Sequence, residues 1–152
     1  MYKKAIVCVD QNNIFFRYKK LDFSKILDFI KSKCEVIKTT SYMALDKESD
    51  TQKKFITYLS NNGYRCITTD ISEDTNVDHI LIADMTNDFK NLNPDIIILI
   101  SGDSHFAYSL DLFSKQGSLT WVIGAKDSIS FDLLKVADNV FYLEDMPGVV
   151  PA

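Results

Sequence analysis

A chain of 152 residues, 46% apolar and 25% charged, has the size and composition of one compact domain and needs neither disulfide nor zinc to hold its core. No apolar run approaches the ~20 residues of a membrane span, and Met1-Tyr2-Lys3-Lys4 leads into a strand without a signal-peptide profile, which excludes membrane, secreted and fibrous classes and makes a cytoplasmic protein the expectation. Seventeen basic against 21 acidic residues leave a net charge of −4, so the whole-molecule field does not favour non-specific nucleic-acid binding and any polyanion must be held locally.

Ala5-Ile6-Val7-Cys8-Val9 is a continuous apolar strand that stops at Asp10, and a short helical turn begins near Asn13. Phe23, Ile26, Leu27 and Ile30 are spaced as a helical stripe. Glu35–Met43 is the second strand, and Phe55, Ile56 and Leu59 mark a helix that Gly63 ends before a third strand from Tyr64 to about Thr69. A helix follows over Val77–Phe89. Asp95–Ser101, with five consecutive Ile/Leu residues, reads as a strand buried on both faces. Phe106, Leu110 and Phe113 place the next helix, up to Gly117, and Leu119–Ile123, a helix at Phe131–Val136 and Val140–Leu143 close the chain. Cys8, Cys34 and Cys66 each sit in an apolar stretch without a C-x-x-C pair, as buried thiols in a reducing compartment would.

This alternation implies a doubly wound α/β sandwich with a mainly parallel sheet of five to six strands. Residues 1–145 form the domain and 146–152 a tail that is either disordered or docked. The glycines at element junctions read as turn residues, and neither G-x-G-x-x-G nor a Walker A motif occurs.

In such a sheet, ligands bind beyond the carboxyl ends of the strands, where strand order reverses. Asp10 and Asp103 stand directly after strands, and if those strands are neighbours the two carboxylates face one crevice and call for a cation or a shared proton. The plain alternative is helix capping. Asp78 projects from the apolar face of its helix, which fits either a third ligand or an acid in the first helical turn, where the dipole favours negative charge. Asp84 and Asp88 flank that stripe as solvated residues, and His79 reads as surface.

Asp10-x-x-Asn13, Val77-Asp78, Asp84 and Ser101-Gly102-Asp103-Ser104 together make the chain resemble the NYN-domain family, in its LabA-like branch of the PIN-like nucleases, over nearly its whole length. The resemblance implies a PIN-like Rossmannoid three-layer αβα sandwich and Mg²⁺- or Mn²⁺-dependent hydrolysis of RNA. It implies Asp10, Asp78 and Asp103 as metal ligands, Asn13 facing the same crevice, and Ser101, Ser104 and Asp84 in support. Where the family commonly carries a further acid, His105 stands here; an imidazole there can still bind Mn²⁺ or shuttle protons, the lost carboxylate weakens Mg²⁺ affinity, Asp127 is the candidate to supply the missing charge, and the plain alternative is that His105 only decorates the first helical turn. Lys3, Lys4, Arg17, Lys19 and Lys20 form a loose basic cluster, and Arg17, Lys19, Lys20 and Lys126 are candidate contacts to a single-stranded RNA. Phe15, Phe16 and Tyr18 are base-stacking candidates or core. Two other readings stand beside this one. One is a non-catalytic RNA-binding or protein-interaction module with a degenerate site; a homodimer or a protein partner is compatible with each reading. The other is a phospho-acceptor of the receiver or haloacid-dehalogenase type using Asp10, Asp70 and Lys126.

Overall fold

The computed structural model describes residues 2–15, 20–73 and 76–151. Six strands, β1 (Lys4–Asp10), β2 (Glu35–Leu45), β3 (Arg65–Asp70), β4 (Ile96–Ile100), β5 (Leu119–Gly124) and β6 (Asn139–Tyr142), form one sheet in the order β3-β2-β1-β4-β5-β6. Every neighbouring pair is parallel. The chain builds outward from β1 to β3, then crosses back to lay β4 on the other side of β1, so strand order reverses between β1 and β4.

The helices are α1 (Gln11–Phe15), α2 (Phe23–Lys31), α3 (Asp50–Asn61), α4 (Val77–Leu92), α5 (Ala107–Lys115) and α6 (Phe131–Val136), with a 3-10 turn at Ser104–Phe106. They cover both faces of the sheet. Because side chains alternate along a strand, Ala5, Val7 and Val9 enter one core with Ile26 and Ile30 of α2, while Ile6 and Cys8 enter the other with Leu81 and Met85 of α4 and Leu110 of α5. The all-apolar central strand β4 feeds both. Asp22 caps α2 by accepting from Lys25 N–H, and Phe23, Ile26, Leu27 and Ile30 form its buried stripe, as the spacing requires.

Some details depart from the sequence reading. β2 continues past Met43 because Ala44 and Leu45 pair with Thr69 and Asp70 of β3. Cys66 is only half-buried, since β3 is an edge strand. Residues 146–151 lie against the molecule, with Met146 and Val149 buried in the α2 core and Asp22 N–H donating to the Val149 carbonyl at 2.9 Å. No described helix is long and apolar enough to cross a membrane.

Glycine use also differs. Gly63 and Gly117 have positive φ, as turn residues do, but Gly102 and Gly124 are needed for close approach. A Cβ at Gly102 would lie 2.1 Å from the Ser128 carbonyl oxygen and one at Gly124 would meet Ile129, so the loop after β5 packs directly on the end of β4. Gly102→Ala is expected to cost about 1–3 kcal/mol, because backbone rather than a flexible side chain must move. Thermal unfolding checks this, and an unchanged melting temperature would show that the loop yields freely.

Candidate metal centre

The reversal point puts the ends of β1 and β4 side by side, with Val9 paired to Ile100. Asp10, the last residue of β1, is 3% exposed. Ser101, immediately after β4 and fully buried, donates from its hydroxyl to Asp10 Oδ2 at 2.8 Å and accepts from Asp103 N–H at 3.1 Å. Asn13 Oδ1 accepts from Gly102 N–H at 3.0 Å. The first turn after β1 and the Ser101-Gly102-Asp103 segment are thereby tied together, and they position both acids.

Asp78 arrives from α4. Asn76 caps that helix by accepting from Asp78 N–H at 2.9 Å, which sets Asp78 in the first turn with its carboxylate partly covered. Asp10, Asp78, Asp103, Asn12, Asn13, Asn76, Ala44 and Val77 line one cleft of about 380 Å³. Both helix-based alternatives are therefore partly realised: Asp103 does cap the 3-10 turn, accepting from His105 N–H at 2.9 Å, and Asp78 does sit in a favourable first turn. Capping leaves the convergence of the three carboxylates unexplained.

Burial pushes the Asp10 carboxyl up to about 6, with Asp78 and Asp103 adding repulsion and the bonds from Ser101 and the Asn13 backbone opposing it. Asp78 is raised for the same reasons: partial burial first, then Asp103, with His105 and His79 pulling the other way. His105 Nδ1 lies 3.1 Å from Asp103 Oδ1 and 3.9 Å from Asp78 Oδ2. Among the described residues, Asp78, Asp103 and His105 each offer a ligand atom within 4.8 Å of the others. Acids that repel one another around a polar cleft, presenting hard oxygen donors, fit a divalent cation with water completing its shell.

Other candidates stand elsewhere. Asp127 is exposed in the loop after β5 and does not join this group. Ser104 is exposed. Asp84, expected to be solvated or to support the metal, is partly buried and accepts from Tyr42 Oη at 3.0 Å, while Asp88 pairs with Lys38 at 2.9 Å. Lys126 Nζ is held 2.8 Å from Asp145. Lys4 begins the strand that Asp10 ends, so Lys3 and Lys4 lie at the far end of the sheet. Lys20 is exposed, and Arg17, Lys19, Phe16, Tyr18 and the Phe15 side chain fall outside the described residues. Asn76, Asn12 and Ala44 were missed; only Asn76 carried a signal, as a capping residue before Val77-Asp78.

The fold separates the two acids named in the phospho-acceptor reading. Asp10 and Asp70 end strands with β2 between them, about 10 Å apart at usual strand spacing. Asp70 is already engaged by Lys47 at 2.9 Å, which together with Ser72 holds its carboxyl down at about 2.

Comparison with known proteins supplies the remaining facts. The family model for the NYN domain matches residues 4–144. A crystal structure of a protein of unknown function from Vibrio parahaemolyticus superposes with TM-score 0.83 at 21% identity, covering 95% of this chain and 94% of that one, which shows the shared fold. A Glycyrrhiza uralensis protein, UGT73P12, aligns with TM-score 0.45 at 13% identity over 84% of this chain and 29% of its own. No curated protein sequence matches.

Proposed function

The chain belongs to the NYN domain family, and from that premise we propose that it is a divalent-metal-dependent endoribonuclease acting on single-stranded RNA. The observation that carries this reading is the convergence of Asp10, Asp78 and Asp103 on one cleft at the strand-order reversal. Asp78 and Asp103 would hold Mg²⁺ or Mn²⁺ with His105, and Asp10, expected as a ligand but not part of that close group, would add negative charge from the same cleft. When bound, the ion supplies charge stabilisation to an in-line displacement at phosphorus and a more acidic water.

The protein's own part is positional. Ser101 and the Asn13 backbone fix the Asp10 carboxylate, and Asn13 Oδ1 accepts from Gly102 N–H, so Asn13 acts as a positioning residue. Asp103 is held by its own cap to His105 N–H, so its second oxygen keeps a defined direction. Such pre-set acids need no rearrangement when charge develops, which is where electrostatic catalysis gains most. A cleft of about 380 Å³ has room for a phosphodiester and its flanking sugars.

The test is cleavage of a mixed-sequence single-stranded RNA. Mn²⁺ or Mg²⁺ is expected to support cutting and excess chelator to stop it. Cutting that persists in chelator would overturn metal dependence. If Mn²⁺ binds but no RNA is cut, the binding-module reading takes its place.

A further inference from the structure

The chain has two histidines, and both line one pocket of about 190 Å³ against Asp78, with Asn76 and Ile82 completing it. This pocket shares Asn76 and Asp78 with the larger acidic cleft. Nothing in packing requires histidine at either position, since His79 and His105 are both exposed. Yet His105 Nδ1 lies 3.1 Å from Asp103 and 3.9 Å from Asp78, and among the described residues these three side chains offer ligand atoms within 4.8 Å of one another.

We infer that His105 is a metal-specificity residue: its imidazole makes the position between Asp78 and Asp103 a mixed nitrogen–oxygen site that favours Mn²⁺, Co²⁺ or Zn²⁺ over Mg²⁺. The inference rests on the metal-dependent reading above and concerns which ion that site selects. Mg²⁺ is a hard ion that prefers oxygen ligands and retains its waters, and it gains little from an imidazole. First-row transition ions gain progressively from nitrogen donors, in the order Mn²⁺, Co²⁺, Ni²⁺. A triad of two carboxylates and one imidazole therefore spreads affinities that an all-oxygen site would hold closer together. With His79 on the same wall, the pocket keeps a second nitrogen donor near Asp78.

Titration calorimetry of the metal-free protein at one fixed neutral pH, with MgCl₂, MnCl₂ and CoCl₂ in turn, tests this without reference to activity. Wild type is expected to bind Co²⁺ about 100-fold more tightly than Mg²⁺. His105→Gln keeps the exposed position polar and is expected to reduce that ratio by about tenfold or more, mainly through weaker Co²⁺ binding. His105→Asp is expected to move it the same way by strengthening Mg²⁺. Zn²⁺ should shift the His105 ring resonances on binding. If Asp103→Asn abolishes ion binding but neither His105 variant changes the ratio, the inference falls and the metal reading stands. If no ion binds wild type, both fall.

Discussion

Asp103→Asn is expected to lower metal-stimulated RNA cleavage by about 10²–10³-fold or more, the usual loss when one pre-set electrostatic group is removed, while leaving the fold intact. The structural half of this expectation rests on what Asp103 does as a cap. Its carboxylate accepts from His105 N–H at 2.9 Å, and asparagine caps a helical turn about as well as aspartate. Its own N–H donates to Ser101 Oγ, a backbone interaction that the substitution does not touch. What disappears is the negative charge shared with Asp78 and His105. Asp84→Asn serves as the matched control, because Asp84 accepts from Tyr42 and does not line the cleft. It is expected to retain cleavage within about threefold, since the amide oxygen of asparagine can still accept from Tyr42 and this bond lies outside the cleft. Cleavage rates and melting temperatures of the two variants, purified side by side, check both halves. Undiminished cutting by Asp103→Asn would assign the activity to another site or another protein.

The parts of this centre that were legible in the sequence share one property: they follow directly from position along a strand. Asp10 and Asp103 stand where parallel strands stop, and an all-apolar β4 announces a central strand, so their meeting depended only on β1 and β4 being neighbours. Asp78 was legible because a carboxylate on the apolar face of a helix needs a reason. The roles of Asn13 and Ser101 as ties between two segments 89 and 91 residues apart were not legible, because hydrogen bonds of that span are set by tertiary packing. The same holds for the glycines. Gly102 looked like a turn residue and proves to be the place where the Ser128 carbonyl comes too close for any Cβ. Lys126 and Asp84 show the same limit, because their partners Asp145 and Tyr42 come from other elements. Charge in the sequence tells nothing of which charges are already paired.

Asp10→Asn is expected to separate stability from metal response, by making the metal-free protein more stable while removing most of its response to metal. The carboxyl of Asp10 is raised from 3.8 to about 6 in the fold, so the ionised form is disfavoured there relative to the unfolded chain. Below 3.8 both states are protonated and Asp10 contributes no penalty. As pH rises between those values the unfolded chain ionises first, stability falls, and above about 6 the full penalty, about 3 kcal/mol, remains. Asparagine abolishes that slope. It still accepts from Ser101 or the Asn13 backbone, but not as strongly as a carboxylate, so a net gain of about 1–2 kcal/mol at pH 8 is expected, raising the melting temperature by about 2–8 °C. Near pH 4 the variant should show no gain. Divalent metal reverses the order of the two proteins. At a concentration 100 times its dissociation constant, an ion that binds only the folded state adds about 2.7 kcal/mol, or about 5–11 °C, to wild type. The variant lacks the buried charge that shares the cleft with Asp78 and Asp103 and should gain far less. Melting curves at both pH values, with chelator and with Mn²⁺, give all four comparisons. A metal-free variant less stable than wild type at pH 8 would mean that the Asp10 carboxylate is already compensated by its hydrogen bonds, and the electrostatic need for a cation would go with it.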